Sequence, residues 1–258
     1  MPNCWIVVRL DGKGFHKFAN VHNFNKPNDE RALNLMNHAA AMVIKEFNEI
    51  IISYGQSDEY SFVFHKDASV YNRRASKIQS NVNSLFTSAY VFYWNRWFGP
   101  EDKLKYPPSF DARVVLYPSI ENLKDYLSWR QADVHINNLY NTCFWNLVLK
   151  KGLTNAAAEE FLRGSVSSEK NEILFSEFGI NYNNEPAIFR KGSILVTKQV
   201  KIGESSKKKV VIPIHDDLIK ETFWQEHDEL LERKTPKLHT FPTEKIPPLV
   251  CELLKLKI

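Results

Sequence analysis

The sequence predicts an α+β fold: a ferredoxin-like β-α-β-β-α-β antiparallel sheet core with a helical C-terminal part. Three observations predict it. Within residues 1–118, four short runs rich in β-branched and aromatic residues alternate with two long amphipathic stretches in that order. The two middle runs are separated only by a short polar turn, as a hairpin requires. Beyond residue 118 the periodicity becomes mostly helical.

Each element has a local reason. "CWIVVRLDG" (4–12) is a buried strand stopped at Asp-Gly, and "KGFHKFANVHNFNKP" reads as a loop. Pro27-Asn28-Asp29-Glu30 opens a helix in which Leu33, Met36, Ala40, Val43, Ile44 and Phe47 recur at three- and four-residue steps. "EIIISYGQSDEYSFVFHK" gives strands over 49–54 and 60–65 around a polar turn containing Gly55. Residues 69–97 lack Gly and Pro and place Ala75, Ile78, Val82, Phe86 and Ala89 on one face, which predicts one long helix. "FDARVVLYP" (110–118) is the fourth strand, stopped by Pro118. This arrangement carries both helices on one face of the sheet and leaves the other open.

The second part, 119–232, belongs to the same unit. It opens with a helix running to Gly152 and continues with "TNAAAEEFLRG", a helix capped by Thr154 and ended by Gly164. A further helix, polar loops, a hairpin from Ala187 to Ile202 and an exposed turn at "ESSKKKVV" follow. From Arg233 to Ile258, four prolines and several lysines predict a loosely attached tail ending in a short amphipathic piece.

Composition excludes several classes. With 258 residues and 43% hydrophobic content the chain buries a real core, and 34 basic against 30 acidic residues hint at a basic face for a polyanion. Three scattered cysteines, Cys4, Cys143 and Cys251, argue against a disulfide framework or a structural zinc site and suit a reducing compartment. No run of ~18 apolar residues marks a membrane span, so a soluble, intracellular protein is expected.

The chemistry concentrates at the hairpin tip. The predicted topology sets Asp11 beside Asp58, and two converging carboxylates suit Mg²⁺, with Glu59 a third acidic group; ordinary acidic turns are the alternative. In "DGKGF" (11–15), Gly12 and Gly14 flank Lys13 and let backbone N–H groups approach a triphosphate, while Phe15 and His16 either stack on a base or pack in the loop. No Walker or Rossmann pattern accompanies them. Lys26, Asn28 and Asp29 stand at a helix start that favours anions, where Asp29 or Asn28 is equally a plain cap. Arg74 and Lys77 share a helix face, solvated unless that face borders the carboxylates. "SWRQADVHINNLYN" crowds Arg130, Asp133, His135, Asn137, Asn138 and Asn141 into one helix. Such a stretch is either a buried polar network or an RNA-facing surface with Tyr140 or Trp129 stacking on bases. Lys170, Asn181, Tyr182 and Asn183 repeat the theme.

The blocks "VVRLDGKGFHKF", "KPND", "YGQSDEYSFVF", "RRASK", "DYLSWRQADVHINNLYN" and "KNEILFSEFGINYNNE", in this order, closely resemble eukaryotic tRNA-His guanylyltransferase over about residues 4 to 230. The resemblance implies a catalytic core like the palm of template-directed polymerases, here adding a guanosine to the 5′ end of tRNA-His in the 3′-5′ direction. It implies ATP and GTP as substrates, two Mg²⁺ ions held by Asp11, the Gly12 carbonyl and Asp58 with Glu59 assisting, and a nucleotide cradled by residues 11 to 16 and Ser57. It further implies that Lys26, Asn28, Asp29, Arg74 and Lys77 meet triphosphate or the tRNA end, and that His135, Asn138, Lys170 and Asn181 contact tRNA. A homotetramer working in cytoplasm, mitochondrion or both is expected. Family members usually carry a further segment before the first strand, and the tail from Arg233 has no recognised counterpart. A catalytically impaired tRNA-binding scaffold and another palm-type nucleotidyltransferase are the competing readings.

Overall fold

Strand β1 (Trp5–Gly12) sends Ile6, Val8 and Leu10 to one side of the sheet and Trp5 and Val7 to the other, and all five are buried. Burial on both faces explains its nearly continuous apolar run, interrupted only by Arg9 and Asp11. The structure is a computed structural model and describes residues 2–201, 207–232, 234–241 and 246–255.

The stretch after β1, read as loop, contains a short helix, α1 (Phe15–Val21). Phe15 and Phe18, one turn apart, give it a buried stripe that outweighs the missing side-chain cap. Helix α2 (Glu30–Glu46) starts as expected, the Asp29 carboxylate accepting the Arg31 N–H at 3.0 Å. Strands β2 (Ile50–Gln56) and β3 (Glu59–Phe64) form the hairpin. Gly55, expected in the turn, lies within β2 opposite Tyr60, whose ring covers it so closely that a Cβ would sit 2.1 Å away. The turn is Ser57–Asp58 alone, with Ser57 left-handed at φ 48.

The single helix expected over 69–97 is three pieces. A 3₁₀ turn (Val70–Arg73) with left-handed Tyr71, Asn72 and Arg73 precedes α3 (Ala75–Phe92), and α4 (Trp94–Phe98) follows. Arg73 holds that turn by donating to the carbonyls of Cys4, Lys66 and Ala68, a long-range contact that periodicity does not encode. Strand β4 (Phe110–Tyr117) completes the antiparallel order β4-β1-β3-β2, with α2 and α3 on one face.

The opposite face is covered rather than open. Helix α5 (Ile120–Leu149) buries Leu123, Leu127 and Val134 against Trp5, Val7, Ile52 and Val63. Those apolar residues require a partner, and each buried leucine contributes about 1.5–3 kcal/mol. Helices α6 (Asn155–Leu162), capped by Thr154, and α7 (Ser167–Phe178) pack on the far half of α5 around Leu139, Cys143, Leu147 and Leu174.

A 3₁₀ turn (Tyr182–Asn184) leads to α8 (Ala187–Lys191), which occupies the start of the span read as a hairpin. Strand β5 (Ser193–Val200) pairs instead with β2 and with β6 (Lys208–Ile214). Much of "ESSKKKVV" is thus strand rather than turn; Ile202 and residues 204–206 lie outside the described residues. Helices α9 (Glu221–Glu226) and α10 (Glu229–Glu232) follow, and β7 (Leu238–His239) joins β5 in parallel. The described part of the 233–258 segment is built into the fold rather than loosely attached. Its helix α11 (Pro248–Leu254) plugs the sheet margin, Leu249 joining the core beneath α2 and Val250 the core beneath α5. Among the described residues no helix is long and apolar enough to cross a membrane.

Candidate active site

The hairpin tip and the end of β1 are tied together. The Gly12 N–H donates to the Asp58 carbonyl at 3.0 Å, and Asp11 stands opposite Glu59 in the β1–β3 register. A Cβ at Gly12 would meet the Phe15 ring at 2.3 Å and the Asp58 Cβ at 2.8 Å, so only glycine permits this approach. Asp11 and Asp58 are therefore brought together. Burial, and then the charges of Asp11 and Glu59, push the Asp58 carboxyl above the usual carboxylate range, against the pull of its own amide and the Ser57 hydroxyl.

Glu59 has a different environment. Arg9 donates to it at 2.6 Å and Arg130 at 3.2 Å, and Arg9 also reaches Asp11 at 3.2 Å. Arg130 lies over the Trp129 ring and pairs with Asp133. The charge of Glu59 is matched by two guanidinium groups, whereas Asp58 has no cationic partner among the described residues.

A cavity of about 750 Å³ opens over these carboxylates, large enough for a nucleotide. Of the expected nucleotide-site residues, Asp11, Phe15, His16, Lys26, Asn28, Asp29, Ser57 and Asp58 line it, as does Glu59, expected to assist catalysis. Phe15 does so mainly as a core residue, stacked on Phe18. Left-handed Gly14 starts α1, and the Lys13 N–H is spent on the Ser109 carbonyl while its side chain points to solvent. Lys26 places its ammonium 5.1 Å from the Trp145 ring, and burial lowers its pKa. The Asn28 amide nitrogen is buried without a hydrogen-bond partner. Asp29 is occupied as a cap and as the ion-pair partner of Arg31: burial raises its pKa, but Arg31 and the Asn25 N–H bring it below the usual range.

Two expected residues are not brought here. Arg74 and Lys77 sit beside Tyr71 at the start of α3, next to the segment that Arg73 ties to Cys4. That is the Trp5 end of β1, away from Asp11, so the condition set for their phosphate contact is not met within one chain. The helix α3 must run the length of the sheet, and its N-terminus lands at the opposite end.

The four residues expected to meet tRNA gather around Tyr182 and Tyr140. Asn138 donates to the Tyr182 hydroxyl at 2.9 Å, the His135 ring meets Tyr182 edge-on, and Asn181 accepts the Asn183 N–H. Lys170 donates to the Ser165 carbonyl and stands over Tyr140. Only Asn138 of the four lines the cavity. The crowded polar stretch of α5 thus divides: Arg130 and Gln131 are buried away from the cavity, Asn137, Tyr140 and Asn141 form its wall with Trp145, and Asn138, itself buried, belongs to both. Sequence reasoning misses Arg9, Tyr90, Trp145 and Glu159 as site residues. A lone arginine inside an apolar strand is a usable signal for Arg9; nothing local distinguishes the others.

Among the described residues no group of three or more His, Cys, Asp or Glu side chains is spaced to hold a metal. The donors at the hairpin tip nevertheless fit Mg²⁺. That ion ordinarily takes one or two carboxylates and completes its shell with water and phosphate oxygens, and Asp58 carries repulsion that a cation would relieve.

An antiparallel sheet with two carboxylates brought together at the ends of neighbouring inner strands, and a nucleotide-sized cavity above them, is consistent with the palm-type nucleotidyltransferase that the resemblance implies. The model described as tRNAHis guanylyltransferase matches residues 1–118, and that of the Thg1 C-terminal domain residues 121–240, past the point where the tail was expected to lack a counterpart. A probable tRNA(His) guanylyltransferase of Drosophila melanogaster is 59% identical over 94% of this chain and 84% of its own. The tRNA(His) guanylyltransferase of Schizosaccharomyces pombe is 55% identical over 87% of this chain and 89% of its own. The crystal structure of the Saccharomyces cerevisiae tRNA(His) guanylyltransferase superposes with a TM-score of 0.73 at 51% identity, covering 76% of this chain and 86% of that one. A bacterial Thg1-like protein solved with ATP shares the fold, at a TM-score of 0.68 and 20% identity over 90% of each chain. The chain belongs to the tRNA(His) guanylyltransferase family.

Proposed function

We propose that this nucleotidyltransferase adds one guanosine from GTP to the 5′ end of tRNA-His in an ATP-activated, Mg²⁺-dependent reaction. The observation that carries the reading is the cavity itself, lined both by a carboxylate with unmatched charge and by amides and aromatic rings from α5. An oxygen of the RNA 5′-monophosphate attacks the α-phosphorus of ATP, pyrophosphate leaves, and the end is adenylylated. The 3′-OH of GTP then attacks the 5′-phosphorus and AMP leaves; removal of the pyrophosphate from the added guanosine completes the sequence.

Asp11, Asp58 and the Gly12 carbonyl would hold Mg²⁺, which when bound neutralises phosphate charge. The protein's own residues position the reactants. Arg9, braced by Glu59, orients Asp11; Lys26 faces the triphosphate; and Asn137, Asn138 and Asn141 offer hydrogen bonds to unpaired bases. Arg74 and Lys77, remote from their own cavity, suit contact with RNA held by a neighbouring subunit of a homotetramer.

The test is incorporation of radiolabelled GTP into 5′-monophosphorylated tRNA-His transcript with ATP and Mg²⁺, in parallel with Asp58→Ala. Label at the 5′ end, lost in the variant, supports the reading. Tight tRNA binding by both proteins without incorporation would overturn it in favour of a scaffold, and a cyclic product from nucleotide alone in favour of another palm-type chemistry.

A further inference from the structure

Five tyrosines are buried among the described residues, and four use their hydroxyls. Tyr54 donates to the Lys191 carbonyl, Tyr60 donates to the Asn37 side chain, Tyr126 shares a hydrogen bond with Ser61, and Tyr182 accepts from Asn138. Tyr90 is the exception. It is 0% exposed, yet its hydroxyl has no hydrogen-bond partner among the described residues. Leaving a buried hydroxyl unpaired costs stability, so a phenylalanine would serve the core better unless the oxygen is used by something else.

Its position says what that is. The Tyr90 ring is held by Phe15, Phe18, Trp94 and Phe110, with centroid separations between 5.7 and 6.3 Å, so the phenol is fixed rather than adaptable. The residue lines the cavity with Asp58, whose charge it feels, and shares its core cluster with Ala32 and Met36, which line the cavity too. Burial, with the charges of Asp58 and Asp29 adding to it, pushes the phenol upward, so the group stays protonated and able to donate. The apolar side chains that line the cavity with this phenol accommodate a neutral sugar or ring system.

We propose that Tyr90 is a nucleotide-binding residue whose hydroxyl donates a hydrogen bond to a neutral acceptor on the nucleoside portion of the bound triphosphate, either a ribose oxygen or an atom of the purine edge. This rests on the reading of the cavity as a nucleotide site. It makes the unpaired hydroxyl of the free protein a group preorganised for ligand, at a cost to the fold.

The experiment compares the protein with Tyr90→Phe in two measurements: thermal unfolding without nucleotide, and calorimetric binding of ATP, GTP and their 2′-deoxy forms. The variant is expected to unfold at the same or a higher temperature, and to bind ATP, GTP or both about five- to tenfold more weakly. If the acceptor is the ribose 2′ oxygen, the deoxy forms bind the unaltered protein as weakly as their parents bind the variant. If it is a purine atom, ribo and deoxy forms lose equally; either result supports the proposal. Equal affinities in the two proteins overturn it, as does a lower unfolding temperature, which would mean that the hydroxyl already holds the fold together. Absence of ATP and GTP binding to the unaltered protein would sink the nucleotide reading itself, and this proposal with it.

Discussion

Two charged clusters in this molecule are built on opposite plans. Between β5 and α10, Lys198 and Glu229 each expose only 3% of their side chains and are bonded directly, with His227 2.8 Å from the lysine and Lys237 3.4 Å from the glutamate. Charge cancels there, and no residue of the pair lines the cavity. At the hairpin tip only Glu59 is neutralised, by Arg9 and Arg130; Asp11 shares Arg9, and Asp58 is left facing a cavity with its acidity suppressed. The difference separates charge that fastens the fold from charge that awaits a counter-ion. A buried carboxylate is informative as a site when its partners fall short.

Breaking the unmatched cluster has the largest expected effect. Asp58→Ala should lower guanosine incorporation by about a thousandfold, while thermal unfolding shows equal or greater stability because a repulsion between neighbouring carboxylates is removed. Breaking the matched cluster should do the reverse. Lys198→Met strands Glu229 and should cost about 3 kcal/mol in denaturant unfolding, with activity per folded molecule unchanged and much of the loss recovered by adding Glu229→Leu. His38 sharpens the comparison, being buried with neither plan. It stacks on Tyr93 and accepts from Trp97, and burial takes it down to about 4, with Glu252 opposing and Arg96 reinforcing that shift.

The consequence for stability has a definite sign. Above pH 6.5 the His38 imidazole is neutral folded or unfolded; between 6.5 and about 4 only the unfolded chain takes the proton, so stability falls as pH falls, by up to about 3 kcal/mol. Denaturation measured across that window should lose this component in His38→Gln. An uncharged control should show the smallest effect. Ser119→Ala removes the cap that accepts the Asn122 N–H at 3.2 Å, and should cost about 1 kcal/mol at any pH, read from the unfolding midpoint.

Much of the fold was legible because its signals are local. The four strands of the first half are β-branched runs, and the caps read at Asp29 and Thr154 stand where backbone N–H groups need acceptors. Other elements were not legible for identifiable reasons. Gly55 belongs to a strand because a ring from the facing strand covers it, and the helix after residue 69 is interrupted because Arg73 finds carbonyls elsewhere in the chain. The role of α5 was ambiguous because its first half packs on the sheet and its second on α6 and α7, so its buried residues follow no single stripe.

By itself the sequence determined the first four strands and their order, the hairpin that carries Asp58 to the end of β1, and the family blocks that surround both; the strands that extend the sheet beyond β2 it did not. Tertiary structure alone decided which carboxylates are neutralised, that Arg74 and Lys77 stand at the far end of the sheet, and that one buried phenol has no partner among the described residues. The physical reason is that pairing and burial are set by residues distant along the chain: Arg130 lies 71 residues from the Glu59 it neutralises. A residue's type declares which bonds it can make, and only the packed fold determines which of them are already made.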